Sequence, residues 1–275
     1  MKFKLLLEEQ QRLDETYRYF SFDWDDNIMT LPTKIKMLKN GKPFGVSSED
    51  FAKKRLLVGK GKDLNGDVWE LPEDAFKDFR PEGDAQFIKD TMNPVKYGPV
   101  WKDFVECVNE GRIFSVITAR GHTPEAMKKA VKGMIDRNQN GLSKQSCISG
   151  INEWRDKAKL GPLEGDNAID YYLDELCKFY PVSYPGLFGK DASMSDPSKA
   201  KTHAMDDFAS HAIEKAKSAG FKRGKEITMG FSDDDKKNFD LMTNHMKQAK
   251  HGFSRVSLKY TGEHPENKLL GKKKK

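Results

Sequence analysis

Two groups of carboxylates mark this chain: Asp23, Asp25 and Asp26 early in it, and Asp233, Asp234 and Asp235 far later. Asp23 and Asp25 alternate with Trp24, so on an extended backbone both side chains reach the same side. Carboxylates this crowded repel one another unless a cation or solvent compensates. All-oxygen donors suit Mg²⁺, which takes one or two carboxylates, keeps waters and shares a substrate phosphate. A calcium loop is the alternative, because Asp23-x-Asp25-x-Asn27 opens like an EF-hand. It fails at Ile28, where glycine is required, and at Lys34, where a bidentate glutamate is required. Asp136 to Cys147 fails in the same way at its twelfth position, and Asn140-Gly141 reads as a helix-ending turn.

Elements that could position these residues follow from the hydrophobic pattern. Tyr17 to Phe22 is an aromatic-rich run ending at Asp23, as expected of a buried strand that delivers carboxylates from its C-terminal end. Ile113 to Ile117 is a second such run, after a helical pattern at Trp101, Phe104, Val105 and Val108 and a stop at Gly111. It leads into Thr118-Ala119-Arg120-Gly121. Thr123 then reads as an N-cap with Pro124 at the first helical position. Ile227 to Phe231 runs into the second acidic group after a helix predicted to start at Asp196-Pro197 and stop at Gly220, and Phe253 to Leu258 offers one more strand.

Strands alternating with helices predict an α/β fold, a mostly parallel Rossmann-like sheet flanked by helices, with function at the carboxyl ends of its strands. Residues 28–95 break the rhythm, with a hairpin signal at Asn40-Gly41 and a polar Gly59 to Asp67 loop, and read as an inserted cap. The expected organisation is a core of 1–27 and 96–262, the insert 28–95, and a basic flexible tail 263–275. Ser149 to Met194 is irregular apart from a short helical pattern at Ile169, Leu173 and Leu176.

Composition narrows the function classes. With 275 residues and 37% hydrophobic content the chain can bury a sizeable core. Its mean hydropathy of −0.76, and the lack of any apolar run near the roughly 20 residues a bilayer demands, predict a protein without a membrane span. Leu5-Leu6-Leu7 is too short for a secretory signal, so the expected location is cytoplasmic. Cys107, Cys147 and Cys177 stand far apart, as reduced thiols rather than a disulfide or zinc framework. The net charge is +6, but Lys272 to Lys275 supply four of those charges, which is not a nucleic-acid-binding balance.

Taken in order, these motifs resemble those of the haloacid dehalogenase superfamily. Phe22-Asp23-Trp24-Asp25-Asp26-Asn27 is similar to its first motif, a strand followed by DxDx(T/V), with Asn27 in the last place. Ile113 to Thr118 resembles the second, an apolar strand ending in Thr or Ser. A lysine upstream of the last motif supplies the third, and Met229 to Asp235 resembles the acidic fourth, with Phe231-Ser232 where glycine often precedes the acid. The resemblance implies that Asp23 attacks phosphorus to form an aspartyl-phosphate, while Asp25 protonates the leaving group and then activates water. It implies that Thr118 bonds the phosphoryl oxygens, with Ala119 and Arg120 beside it on the substrate. Mg²⁺ would be held by Asp23, the Asp25 carbonyl, and Asp233 or Asp234.

Two lysines compete for the third motif. Lys201 shares its helical face with Ala204, Met205, Phe208 and Ala212, whereas Lys199 falls with His203 and Asp206 on the polar side, so Lys201 is preferred. Arg120 suits a phosphate or leaving-group contact, with a structural ion pair as the competing reading, and His122 reads as a surface turn histidine. The expected reaction is hydrolysis of a small phosphomonoester. A non-catalytic binding protein and a nucleic-acid end-processing phosphatase are the alternatives. The latter would use Lys34, Lys36, Lys39 and Lys42 near Phe44, residues that equally fit a solvated hairpin. Substrate identity and oligomeric state are not encoded in any motif.

Overall fold

Ten strands run through the described residues. They are β1 (Tyr17–Phe22), β2 (Met29–Thr30), β3 (Ile35–Lys39), β4 (Lys42–Val46), β5 (Trp69–Glu70), β6 (Lys96–Tyr97), β7 (Phe114–Thr118), β8 (Lys178–Pro181), β9 (Ile227–Asp233) and β10 (Arg255–Tyr260). The computed structural model describes residues 17–188, 196–220, 227–248, 253 and 255–262. Leu5-Leu6-Leu7, the end of the 149–194 stretch and the basic tail 263–275 lie outside them. Helices alternate with the strands: α1 (Ser48–Lys54), α2 (Asp84–Thr91), α3 (Trp101–Asn109), α4 (Pro124–Asp136), α5 (Lys144–Lys157), α6 (Gly165–Tyr171), α7 (Pro197–Ser218) and α8 (Lys236–Gln248).

Five strands form one all-parallel sheet in the order β10-β9-β1-β7-β8, flanked by helices. All five residues of β7 are buried, as parallel strands covered on both faces must be. The chain leaves β1 toward β7 and β8, then returns to the other side of β1 for β9 and β10. The order of strand addition therefore reverses between β1 and β9, the kind of switch point where open α/β sheets bind ligands. Register pairs Phe22 with Ser232 on one side and Val116 on the other, which brings Asp23, Asp233 and the end of β7 to one edge.

Helix boundaries follow local chemistry. Thr123 caps α4 by accepting from the Ala126 amide with Pro124 next in the chain, and Asp196 caps α7 by accepting from the Ser198 amide. Asn140-Gly141 does not end α4, which stops at Asp136; it forms a separate short turn with Asn138 and Asn140 in the left-handed region. The 149–194 stretch is more regular than expected. Ser143 caps α5, whose Cys147, Ile151 and Trp154 are buried at helical spacing, and the Phe179 run supplies the fifth strand, β8.

Residues 28–95 are not uniform. Strands β4-β3-β5 form an antiparallel sheet over a small hydrophobic cluster of their own: Ile35, Met37, Val46, Trp69, Ala75 and Phe79. Asn40 and Gly41, with φ of 52° and 72°, make the tight hairpin turn between β3 and β4. Ile28, Met29 and Leu31 before this sheet, and Phe87 on α2 after it, belong instead to the main core. All three cysteines are free and buried, and no helix among the described residues is long and apolar enough to cross a membrane.

Candidate active site

Every strand end at the switch point contributes a polar group. Asp23 follows β1 and is 5% exposed; its backbone amide donates to the Ser232 carbonyl at 3.0 Å. Asp233, the last residue of β9, is wholly buried. Lys201 on the first turns of α7 lies between them, its Nζ donating to Asp23 Oδ1 and Asp233 Oδ2, each at 2.8 Å. The inward phase expected of Lys201 is what the helix adopts, with Ala200, Ala204, Met205 and Phe208 buried on the same side, while Lys199 is exposed. Asp23 Oδ2 has no hydrogen-bond partner among the described residues.

Asp234 completes the cluster. Ligand oxygens of Asp23, Asp233 and Asp234 all lie within 4.8 Å of one another, a set that could hold a metal ion. Three carboxylates against one ammonium leave two uncompensated negative charges in a largely buried place. Burial and the neighbouring Asp233 push Asp234 up to about 7, and burial raises Asp23 well above the ordinary aspartate range. A bound cation would favour the charged forms of these carboxylates. All-oxygen donors, crowding and unmet charge fit Mg²⁺. Asp235 does not join the set: its Oδ1 accepts from the Lys237 and Asn238 amides and caps α8, and its Oδ2 accepts from Arg55 at 3.1 Å.

Asn27 is wholly buried and staples the loop after β1 to the neighbouring strand end. Its Nδ2 donates to the carbonyls of Asp23 and Ser232 and to Ser232 Oγ, and its Oδ1 accepts from Thr261 at 2.7 Å. The amide side chain uses both ends, its NH₂ as donor and its oxygen as acceptor. Gly98 packs against the same loop so closely that a Cβ would lie 2.1 Å from the Asn27 carbonyl oxygen. Asp26 adopts φ 55° and ties the loop to the insert, accepting from Thr30 Oγ1 and from Ser48 Oγ on α1.

Thr118 ends β7, 1% exposed, and Ala119 beside it is exposed toward the cavity. Arg120 is placed differently from a free substrate contact. Its side chain is 2% exposed and grips Asp25 with two bonds, Nε to Oδ2 at 2.8 Å and Nη2 to Oδ1 at 2.7 Å. The guanidinium also lies over the rings of Phe79 and Phe87, 4.5 and 5.1 Å from their centroids. Asp25 contributes no side-chain oxygen to the acidic cluster.

His122, expected on the surface, is wholly buried, because the turn after β7 folds under α2 rather than into solvent. Phe87 stacks on its ring at 4.4 Å, its Nε2 is 3.1 Å from Arg120 Nη1, and its Nδ1 is 3.0 Å from Asp84 Oδ1. Burial first, and the Arg120 charge second, lower its pKa to about 4, so the ring is neutral at ordinary pH. Arg120 can only donate, so the ring's proton sits on Nδ1 and is donated to Asp84. Asp84 in turn accepts from the amide and hydroxyl of Thr123. An unbroken chain thus runs from Asp25 through Arg120 and His122 to Asp84. The pairing of Asp25 with Arg120 had no sequence signal beyond the nearness of Arg120 to Thr118; Asp84 and Phe87 had none.

A cavity of about 1020 Å³ opens over these groups, floored by Asp23, Asp25, Thr118, Lys201 and Asp234 and walled by the insert. The arrangement offers a buried carboxylate with one oxygen free, an adjacent fixed carboxylate, a cation and a metal-competent acidic set. Comparison with known proteins adds nothing to this: no family model matches the chain, and neither the curated proteins nor the solved structures contain a match.

Proposed function

We propose that this chain is a Mg²⁺-dependent phosphatase that hydrolyses a phosphomonoester through an aspartyl-phosphate at Asp23. The observation that carries this reading is the convergence on one cavity of Asp23, Asp25, Thr118, Lys201 and Asp234 from four separate chain segments, with Asp233 buried behind them on Lys201. These are the positions at which the resemblance to the haloacid dehalogenase superfamily implies nucleophile, acid and base, phosphoryl ligand, cation and metal ligands. In this reading the small sheet of β3 to β5 is the cap.

Asp23 attacks phosphorus with a carboxylate oxygen, and the bond from phosphorus to the leaving oxygen breaks. Asp25 passes a proton to that oxygen, then takes one from the water that attacks the aspartyl-phosphate, releasing inorganic phosphate and restoring Asp23. Arg120 holds Asp25 at one orientation through both steps; each carboxylate oxygen keeps a second lone pair for the travelling proton. Lys201 offsets negative charge on Asp23 and on the transferring group, and Thr118 donates to a phosphoryl oxygen. Asp23, Asp233 and Asp234 are the residues that would hold Mg²⁺, which when bound supplies the positive charge that lets a carboxylate meet a phosphate dianion. Three buried, unpaired thiols suit the reducing cytoplasm.

Turnover of p-nitrophenyl phosphate tests the reading. Activity is expected with Mg²⁺, lost in excess chelator and restored by added Mg²⁺. Because Asp234 must surrender a proton to bind the ion, Mg²⁺ affinity should rise as pH climbs toward about 7 and level off above it. Full activity in chelator, or phosphate binding without turnover, would remove the proposal.

A further inference from the structure

The cavity is far larger than a phosphoryl group requires, and its wall opposite Asp23 has a definite chemistry. From the insert come Phe51 and Phe76, half-buried and packed edge to face at 5.2 Å, with Phe79 next to Phe76 at 6.5 Å. Ile35 and Ala52 extend this apolar surface. Ser48, Glu49 and Lys53 of the insert also line the cavity, but its aromatic part offers ring faces on which a planar ring can stack.

Cations surround that wall. Arg55 is held by Asp235, and Lys53 and Lys96 share Glu49 at 3.0 and 3.7 Å. Arg80 is exposed to the cavity and has no carboxylate partner among the described residues. It directly follows Phe79, whose carbonyl accepts from the Gly121 amide at 2.8 Å, so the turn bearing Arg80 is pinned to the loop that bears Thr118. The Arg80 backbone is thus tied to the Thr118 loop, while its guanidinium, with no carboxylate partner among the described residues, can meet a second anion in the cavity. Lys36 and Lys39 on the hairpin are by contrast engaged with Asp74, Asp78 and Asp67, and none of the hairpin lysines lines the cavity.

Resting on the phosphatase reading above, we propose that the leaving group is a nucleoside carrying a further phosphate. Its base lies on the Phe51 and Phe76 surface and its second phosphate on Arg80. That chemistry has two sources, a free nucleoside bisphosphate and the phosphorylated end of a nucleic-acid strand. The full chain is tested with Mg²⁺ on p-nitrophenyl phosphate, a hexose phosphate, adenosine 5′-monophosphate, adenosine 3′,5′-bisphosphate, a 5′-phosphorylated oligonucleotide and an acidic phosphotyrosyl peptide. The expected result is the highest kcat/KM on the bisphosphate or the oligonucleotide, and which of the two is preferred identifies the source. Arg80→Ala should lower the ratio of bisphosphate to monophosphate kcat/KM about tenfold, the loss of one charge-assisted contact, and Arg80→Lys should restore part of it. Calorimetric binding of the bisphosphate to Asp23→Asn should weaken on added Phe76→Ala and on raised salt. Hydrolysis of p-nitrophenyl phosphate with the hexose phosphate or the peptide ranked first, or an unchanged ratio in Arg80→Ala, overturns this inference and leaves the phosphatase reading standing. No hydrolysis of any substrate, with intact bisphosphate binding, overturns the phosphatase reading instead.

Discussion

The two walls of the cavity are built on different principles. The sheet edge is made of strand ends whose side chains are fixed by the packing of a whole core: Asp23, Thr118, Lys201 and Asp233 are each no more than 5% exposed. The insert rests on a cluster of six buried residues and presents half-buried Phe51 and Phe76 and exposed Arg80. On the phosphatase proposal, the groups that would meet phosphorus sit where displacement means unpacking the core, and those that would choose a leaving group sit on the smaller cluster of the insert. The comparison makes separate demands of mutations on each side: those on the sheet edge should change chemistry or global stability, those in the insert selectivity or local stability.

The largest effect should come from Asp23→Asn, which keeps the shape and removes the nucleophile. Turnover should fall by at least about 10³-fold, with no phosphoryl adduct in rapid-quench mass spectrometry using an aryl phosphate. Asp25→Asn keeps the nucleophile while losing the proton carrier, so the adduct on Asp23 should accumulate. Near wild-type turnover by Asp23→Asn would break the assignment of chemistry to this wall.

Next in size is the link behind Asp25. Arg120→Met removes a buried cation and leaves Asp25 without either of its bonds, which should cost about 3 kcal/mol in denaturant unfolding and most of the activity. If activity alone falls, Arg120 acts only on the site and the two roles of this wall separate. His122 offers a pH test. Its folded pKa of about 4 lies below the ordinary histidine value, so the unfolded chain binds the proton first. Its contribution is complete above about pH 6.5 and is lost as pH falls toward about 4, up to about 3 kcal/mol. Unfolding of wild type and His122→Gln at pH 7 and pH 4.5 should therefore differ less at the lower pH; an unchanged gap would mean that His122 is charged in the folded protein.

What could be read from sequence divides along the same line. Asp23, Thr118 and the 233–235 acidic group, though not the choice among its three aspartates, announce themselves because a parallel strand is a short apolar run with chemistry at its end. Lys201 was legible from helical phase alone, since one face of α7 is apolar. The Asp25, Arg120, His122 and Asp84 chain was not legible, because it joins segments that periodicity cannot relate: Asp84 is 38 residues from His122, and Arg120 is 95 from Asp25. His122 looked like a surface residue because the local sequence around it is a polar turn, and only α2 packing over that turn buries it. In the insert the hairpin showed through Asn40-Gly41, whose turn chemistry is local. The surface that faces the substrate did not: Phe76 and Phe79 lie in irregular turns, where neither a period of 2 nor one of 3.6 applies.

The smallest effect sharpens the comparison most. Met37 is 1% exposed but belongs to the insert's own cluster and not to the main core. Met37→Ala should remove about 2 kcal/mol of packing, a common cost for a buried methionine. If the two walls are energetically separate, that loss falls on the insert alone: amides of β3 and β4 should exchange hydrogen faster, while those of β1 and β7 keep their wild-type protection. Hydrolysis of p-nitrophenyl phosphate should change less than that of any substrate whose leaving group reaches the Phe51 and Phe76 surface. Bonds that tie the two walls, among them Gly121 to Phe79, Ser48 to Asp26 and Arg55 to Asp235, set the limit of that separation. If they transmit the loss, protection at β7 falls together with that at β3, and the insert has to be treated as part of the catalytic framework.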